Sequence, residues 1–462
     1  MRNPVVEVAS KLEAKAASFV KDNRLPGAAV GVVHGDELVW AAGVGFADVA
    51  TRRAPDRLTL YRIASITKTI TGTAIMQLRD EGRLDLDDPA VAHLPELGAA
   101  DTTFGPIEAV TIRRMLSHES GLVSEPPGTD WRAPKYEGLV ERNLARIGEI
   151  GTKVRPNVQP KYSNLAYQLL GEIVARTSVT PYLEYVRTAI LEPLGMNESA
   201  FEPLPEAMLP RRATGYAGRF LSDELELASI PPTIWAEGGL WSCVEDLAKW
   251  LSFQFREDGG ERKGAQVLAG PTLQEMHKAR YLGNDEWTEA WCISWYAVRR
   301  DDVIWVQHSG GLHGFNSNVC FDPKHKIGAI ALVNGSCDAP VLAMDLATIG
   351  REAVLAAAPA IEPAPALPEA YRGLLGIYAD RESGWLIRLE WRDGKLSVID
   401  PADATWRPTL TPTSEPDVFI VDLGVRQSGE RAVFRRLADG RVASLFLAAS
   451  TFRRLDRVVD PN

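Results

Sequence analysis

The chain has no apolar run approaching the ~20 residues that a membrane-spanning helix needs. Its most apolar stretches, 28–33 and 327–333, are of strand length and read as buried strands. The start, Met1-Arg2-Asn3-Pro4-Val5-Val6-Glu7, lacks the apolar centre of a secretory signal, and Lys11, Glu13 and Lys15 follow at once. Cysteine is scarce. Cys243, Cys292, Cys320 and Cys337 lie far apart with no Cys-x-x-Cys, which removes zinc and dithiol redox sites. A cytoplasmic protein with free thiols is the expectation. Basic residues are in deficit, 51 Lys+Arg against 61 Asp+Glu, for a net charge of −10. Nucleic acid is a poor partner for such a chain, and no block of like charge marks a membrane-surface helix. Gly-x-Ser-x-Gly, His-Glu-x-x-His and a phosphate loop are all absent, which sets aside α/β-hydrolases, zincins and nucleotide enzymes.

What is present is an ordinary globular balance, 45% hydrophobic and 24% charged over 462 residues, enough for two or three domains with a sizeable core. The informative stretch is Ser65-Ile66-Thr67-Lys68. Ile66, Ile70, Ala74 and Leu78 recur every fourth residue, predicting a helix that stops at Gly82. Residues three apart share a helix face, so Ser65 and Lys68 are expected side by side in its first turn. A serine hydroxyl needs a neighbouring base to become a nucleophile, and an amine can be that base. Taken alone, Ser-x-x-Lys is common on solvated helices, so the reading depends on what else the chain supplies.

In chain order, a helical period covers residues 5–23, and a β-hairpin is expected around Gly35-Asp36. A short helix spans 111–116, and 123–160 reads as a long irregular loop with one helical insert. Tyr162-Ser163-Asn164 enters another helix, which Ser163 or Asn164 is placed to cap. Further helices are expected over 183–191, 244–255 and 343–355, with strands from Trp291 to Val333 carrying His308-Ser309-Gly310-Gly311. Residues 356–368 are a Pro/Ala-rich linker. Beyond it, six short apolar runs with Asp393-Gly394 and Asp439-Gly440 turns read as a small antiparallel barrel. The expected domains are 1–355 and 369–462.

Ser65-x-x-Lys68, Tyr162-Ser163-Asn164 and His308-Ser309-Gly310 follow one another in the order of the three motifs of penicillin-recognising serine hydrolases. With 111–122 and 238–247 beside them, the chain resembles the class C β-lactamase-like and penicillin-binding-protein-like branch, which includes peptidases and esterases, over roughly residues 10 to 350. The resemblance implies an α/β fold: an antiparallel sheet flanked by helices, with an all-helical subdomain. The C-terminal part resembles the lipocalin-like barrel appended to some D-peptidases of this superfamily and to thioesterases that cyclise nonribosomal peptides.

By resemblance, Ser65 is acylated, Lys68 takes its proton, Tyr162 relays protons to the leaving group, and Asn164 orients Lys68 and a substrate amide. His308, Ser309 and Gly310 border the cleft with His313 near them, and the oxyanion hole is the backbone N–H of Ser65 and Gly311. No metal or organic cofactor is implied. His308 stands where antibiotic-hydrolysing members carry lysine, and a neutral imidazole holds a carboxylate less firmly than an ammonium does. His118, His277 and His325 read as structural. The expected function is a serine hydrolase or acyl transferase acting on a small-molecule or peptide amide or ester. Alternatives are a cyclising thioesterase and a non-catalytic peptidoglycan-fragment or ligand-binding protein.

Overall fold

The computed structural model describes residues 3–125, 144–217, 226–227, 235–256, 267–357, 365–402, 406–422 and 428–455. Much of the expected loop 123–160, and most of the linker 356–368, lie outside the described residues. The chain divides into two compact units, Met1–Ala357 and Ala358–Asn462.

The first unit is built on an eight-stranded sheet ordered Glu37–Gly45, Gly27–His34, Ile327–Val333, Phe315–Asp322, Val303–Leu312, Tyr296–Arg300, Glu289–Trp291, Tyr281–Leu282. Every neighbouring pair is antiparallel. Strand Gly27–His34 sorts its side chains with period two: Ala28, Val30 and Val32 join one core, Ala29 and Val33 the other. On one face lie helices Ala9–Asp22 and Ala339–Ala357, packed through Leu12, Ala16, Leu342 and Leu346. The other face meets helix Val244–Gln254 through Val244, Leu247 and Leu251. Both faces of the central strands are covered, so they read as near-continuous apolar runs.

The expected helical subdomain is present as Thr67–Asp80, Asn164–Ser178 and Tyr182–Val186 packed on one another, joined by Ala90–His93 and Ile112–Leu116. Its entry differs from the sequence expectation in one respect. Ser65 lies in a 3-10 turn, Ala64–Ile66, ahead of the α-helix that begins at Thr67. Ala64 has φ +47°, and this left-handed step forces the tighter turn. Gly82, with φ +70°, ends the helix as expected. The N-terminal helical stretch is broken at Val8 into Pro4–Glu7 and Ala9–Asp22.

The second unit is a closed eight-stranded barrel from Gly376–Ala379 to Ser450–Arg454. Tyr378, Ile387, Leu389, Val398, Phe419, Phe434, Leu445 and Phe452 fill its interior. Asp393 and Gly394, φ +50° and +74°, make the tight hairpin turn that their sequence signals. Among the described residues, no helix is long and apolar enough to cross a membrane.

Candidate active site

The Ser65 turn is clamped from two sides. Strand Tyr61–Arg62 pairs with Trp241–Ser242, and the Ile63 N–H donates to the Leu240 carbonyl at 3.1 Å. On the other side, Ser317 Oγ donates to the Ile63 carbonyl at 2.8 Å. A Cβ at Gly310 would fall 2.1 Å from that same carbonyl oxygen, so only glycine lets strand Val303–Leu312 lie this close.

Lys68 Nζ donates to Ser65 Oγ at 3.1 Å and to the Glu237 carbonyl at 2.6 Å. Segment 235–242 is held along helix Thr67–Asp80 by side chains of that helix. Thr71 Oγ1 donates to the Ala236 carbonyl at 2.6 Å, and the Leu240 N–H donates to Thr67 Oγ1 at 3.2 Å. The amine has no solvent exposure and sits over two phenol rings, 5.0 Å from the Tyr162 centroid and 5.4 Å from that of Tyr167.

Ser163 caps helix Asn164–Ser178 by accepting from the Ala166 N–H, which fixes Tyr162 just ahead of the helix. The Tyr162 ring reaches Lys68 through its face, and among the described residues its hydroxyl makes no hydrogen bond to Ser65 or Lys68. In ligand-free sites such contacts are often open and tighten with substrate. A cleft of about 680 Å³ opens here, lined by Ser65, Tyr162, Trp291, Tyr296, His308, Ser309 and Gly311 among others.

Three residues stand apart from the contacts expected of them. The Asn164 amide donates to Glu125 Oε1, while Lys68 is oriented by the Glu237 carbonyl. Gly310 faces the Ile63 backbone and lies outside the cleft lining. His313, beside the turn that joins two strands, is exposed and also outside the lining.

His118, read from the sequence as structural, supports Tyr162. Its ring stacks on Tyr162 with centroids 4.2 Å apart and meets Trp291 edge-on at 4.8 Å. His118 Nδ1 accepts from the Ser163 N–H at 3.2 Å, so the neutral ring carries its proton on Nε2, which is buried without a partner among the described residues. Burial, then the Lys68 charge, holds the His118 pKa well below the ordinary histidine value. The same two causes push His308 down to about 3. Since a carbonyl only accepts, His308 Nδ1 donates its proton to the Ser309 carbonyl, 2.7 Å away. Burial thus biases both imidazoles toward the neutral form.

Two carboxyls complete the surroundings. Glu237 Oε1 accepts from Gln168 Nε2 at 2.8 Å, and burial raises its pKa. Burial also raises Glu125, to about 7, against the opposing effects of Asn164 and Lys68. Among the described residues, no group of three or more His, Cys, Asp or Glu is placed to hold a metal ion.

A family model for Beta-lactamase matches residues 12–351. The chain belongs to the beta-lactamase family. Protein flp of Staphylococcus aureus (strain COL) is 27% identical over 326 residues, which is 68% of this chain and 61% of that protein. The match thus spans about three-fifths of such curated relatives. Among solved structures, the octameric penicillin-binding protein homologue from Pyrococcus abyssi superposes with a TM-score of 0.60 at 25% identity, covering 96% of this chain and 99% of that one. SurE gives a TM-score of 0.60 at 24% identity, covering 98% and 99%.

Replacing His118 by alanine removes both the platform under Tyr162 and the acceptor for Ser163. If Tyr162 serves the chemistry expected of it, turnover falls by about 10²-fold, the scale of a ~1 Å misplacement, with KM nearly unchanged. Phenylalanine at 118, which keeps the stack, should recover part of it, and equal loss in both variants contradicts the platform role. His308 also sets a pH dependence. Its folded pKa of about 3 lies below the ordinary 6.5, so between these values the unfolded chain binds a proton that the folded chain refuses. The stability it contributes is present above pH 6.5 and is lost as pH falls. Glu125, raised from 4.5 to about 7, acts in the opposite sense, its favourable contribution being lost as pH rises through that window. Thermal midpoints from pH 7.5 to 5 should therefore drop less steeply in His308→Asn than in the wild type; parallel curves contradict the assignment.

Proposed function

We propose that the protein is a serine hydrolase or acyl transferase that opens an amide or ester bond through an acyl-Ser65 intermediate. The observation that carries this reading is the 3.1 Å contact of Lys68 Nζ with Ser65 Oγ at the floor of a cleft, with the amine pinned by the Glu237 carbonyl. Once deprotonated for the reaction, the Lys68 amine would keep its donation to that carbonyl and turn its lone pair to the serine hydroxyl. It takes the hydroxyl proton as Oγ bonds to the substrate's carbonyl carbon. The oxyanion so formed would lie against the N–H groups of Ser65 and Gly311, beside the positive end of helix Thr67–Asp80. On collapse, the C–N or C–O bond breaks. The proton passes from Lys68, through the Tyr162 phenol, to the leaving group. Water or another nucleophile then attacks the acyl-enzyme by the reverse route.

The likeness to SurE spans both units, and one of its structures holds D-Leu. This favours a second reading, in which an amine rather than water accepts the acyl group from a substrate containing a D-residue, as in cyclisation of a nonribosomal peptide. A purely ligand-binding role is disfavoured by the intact Ser65–Lys68 contact.

The test is a panel of D-amino-acid amides, short-chain p-nitrophenyl esters and peptidyl thioesters, with mass analysis of the Ser65 peptide. Turnover with a transient acyl mass on that peptide is expected. Loss should be complete in Ser65→Ala and about 10²–10⁴-fold in Tyr162→Phe. Turnover that persists in Ser65→Ala contradicts the proposal, and cyclic product from the thioesters selects the second reading.

A further inference from the structure

The charge of the cleft carries a consequence for its substrate. Lys68 is fully buried beneath the cleft and is not part of its lining, and His308 is neutral. Among the described residues, the one lining side chain with a formal charge is Glu289. Among the described lining residues, an incoming ligand therefore meets one carboxylate and no cationic side chain.

The position of this carboxylate is built by the sheet. Glu289 and Trp291 are two residues apart on one strand, so both side chains leave the same face, while Ala290 between them is buried. Trp291 pairs directly across from Tyr296 on the next strand, and their rings lie 5.5 Å apart. The Tyr296 hydroxyl donates to Ser309 Oγ at 2.9 Å, which ties this aromatic wall to the strand that borders Ser65. Tyr162 continues the wall, 5.9 Å from Trp291. Glu289 lies close enough to Tyr296 to disfavour ionisation of its phenol.

A carboxylate at the end of a row of aromatic rings recognises a cation: the rings offer negative faces and the carboxylate supplies the opposite charge. The same arrangement repels a ligand carboxylate. We infer that the cleft selects substrates bearing a cationic amine where they meet Glu289 and rejects those bearing a carboxylate there, with Glu289 as the specificity-determining residue. This inference rests on the acyl-Ser65 reading for its meaning as substrate selection, and its binding test does not depend on turnover.

The full-length protein is titrated calorimetrically with 2-phenylethylammonium, 2-phenylethanol and phenylacetate, in the wild type and in Glu289→Gln. The ammonium should bind at least about ten-fold more tightly than phenylacetate, the span of one favourable against one unfavourable charge contact. In Glu289→Gln the ammonium should lose about five-fold or more, while phenylethanol binds as before. Protection of Ser65 from a fluorophosphonate by the ammonium places it in the cleft. Equal or tighter binding of phenylacetate, an ammonium affinity indifferent to Glu289→Gln, or binding that leaves Ser65 labelling unaffected overturns the inference. The outcomes separate from those of the parent reading. Failure of Ser65 to acylate with any ester sinks the chemistry alone, and turnover without ammonium preference sinks the selectivity alone.

Discussion

Burial of the Lys68 amine is the constraint around which the first unit is arranged. A charged amine removed from water costs on the order of several kcal/mol unless it is fully partnered. Here a backbone carbonyl from 169 residues away, the serine hydroxyl and two phenol faces supply the partners. That carbonyl is useful only because segment 235–242 is tied to the same helix by Thr67 and Thr71, and because Gln168 holds the Glu237 side chain. Thr67 and Thr71, polar residues buried on this helix, are explained by this one contact. Around it stand two carboxyls raised by burial and two imidazoles lowered by it. Each is thereby biased toward its uncharged form, which suits the proposed passage of a single proton between an alcohol, an amine and a leaving group.

Backbone strain gathers at the same place. Ala64, His118 and Ser294 are non-glycine residues with φ of +47°, +59° and +59°. Such conformations cost about 1–3 kcal/mol each and persist where the surroundings determine them. Ala64 turns Ser65 out ahead of the helix. His118 carries the platform under Tyr162. Ser294 accepts from the Tyr167 hydroxyl at 2.8 Å, and it fits only because Gly72 has no side chain, since a Cβ there would lie 2.0 Å from Ser294 Oγ. Three strained steps and two bare glycines, Gly72 and Gly310, hold the two aromatic rings and the nucleophile at the amine.

What the sequence disclosed follows from how local each signal is. The spacing of Ser65 and Lys68, the Ser163 cap and the neutral residue at 308 are short-range features, and each appears in the structure at its expected place. The partner of Asn164 was not legible, because it depends on Glu125 coming from a separate loop. Neither was His118, whose importance arises from stacking on a residue 44 positions later. In the barrel, the six apolar runs are all strands, whereas Thr409–Pro412 and Ser450–Arg454 escaped notice. Each of those two buries a single apolar side chain, Leu410 or Phe452, and one residue makes no period.

The central claim is that Ser65 is a nucleophile because Lys68 touches it. Single-turnover acylation of Ser65 by a fluorophosphonate, followed by intact mass in the wild type and in Lys68→Ala, tests this contact directly. Without the amine, the labelling rate should fall by about 10²–10⁴-fold, the usual worth of a positioned base. Labelling of Ser65 at the wild-type rate in Lys68→Ala, with the fold retained, would contradict the account.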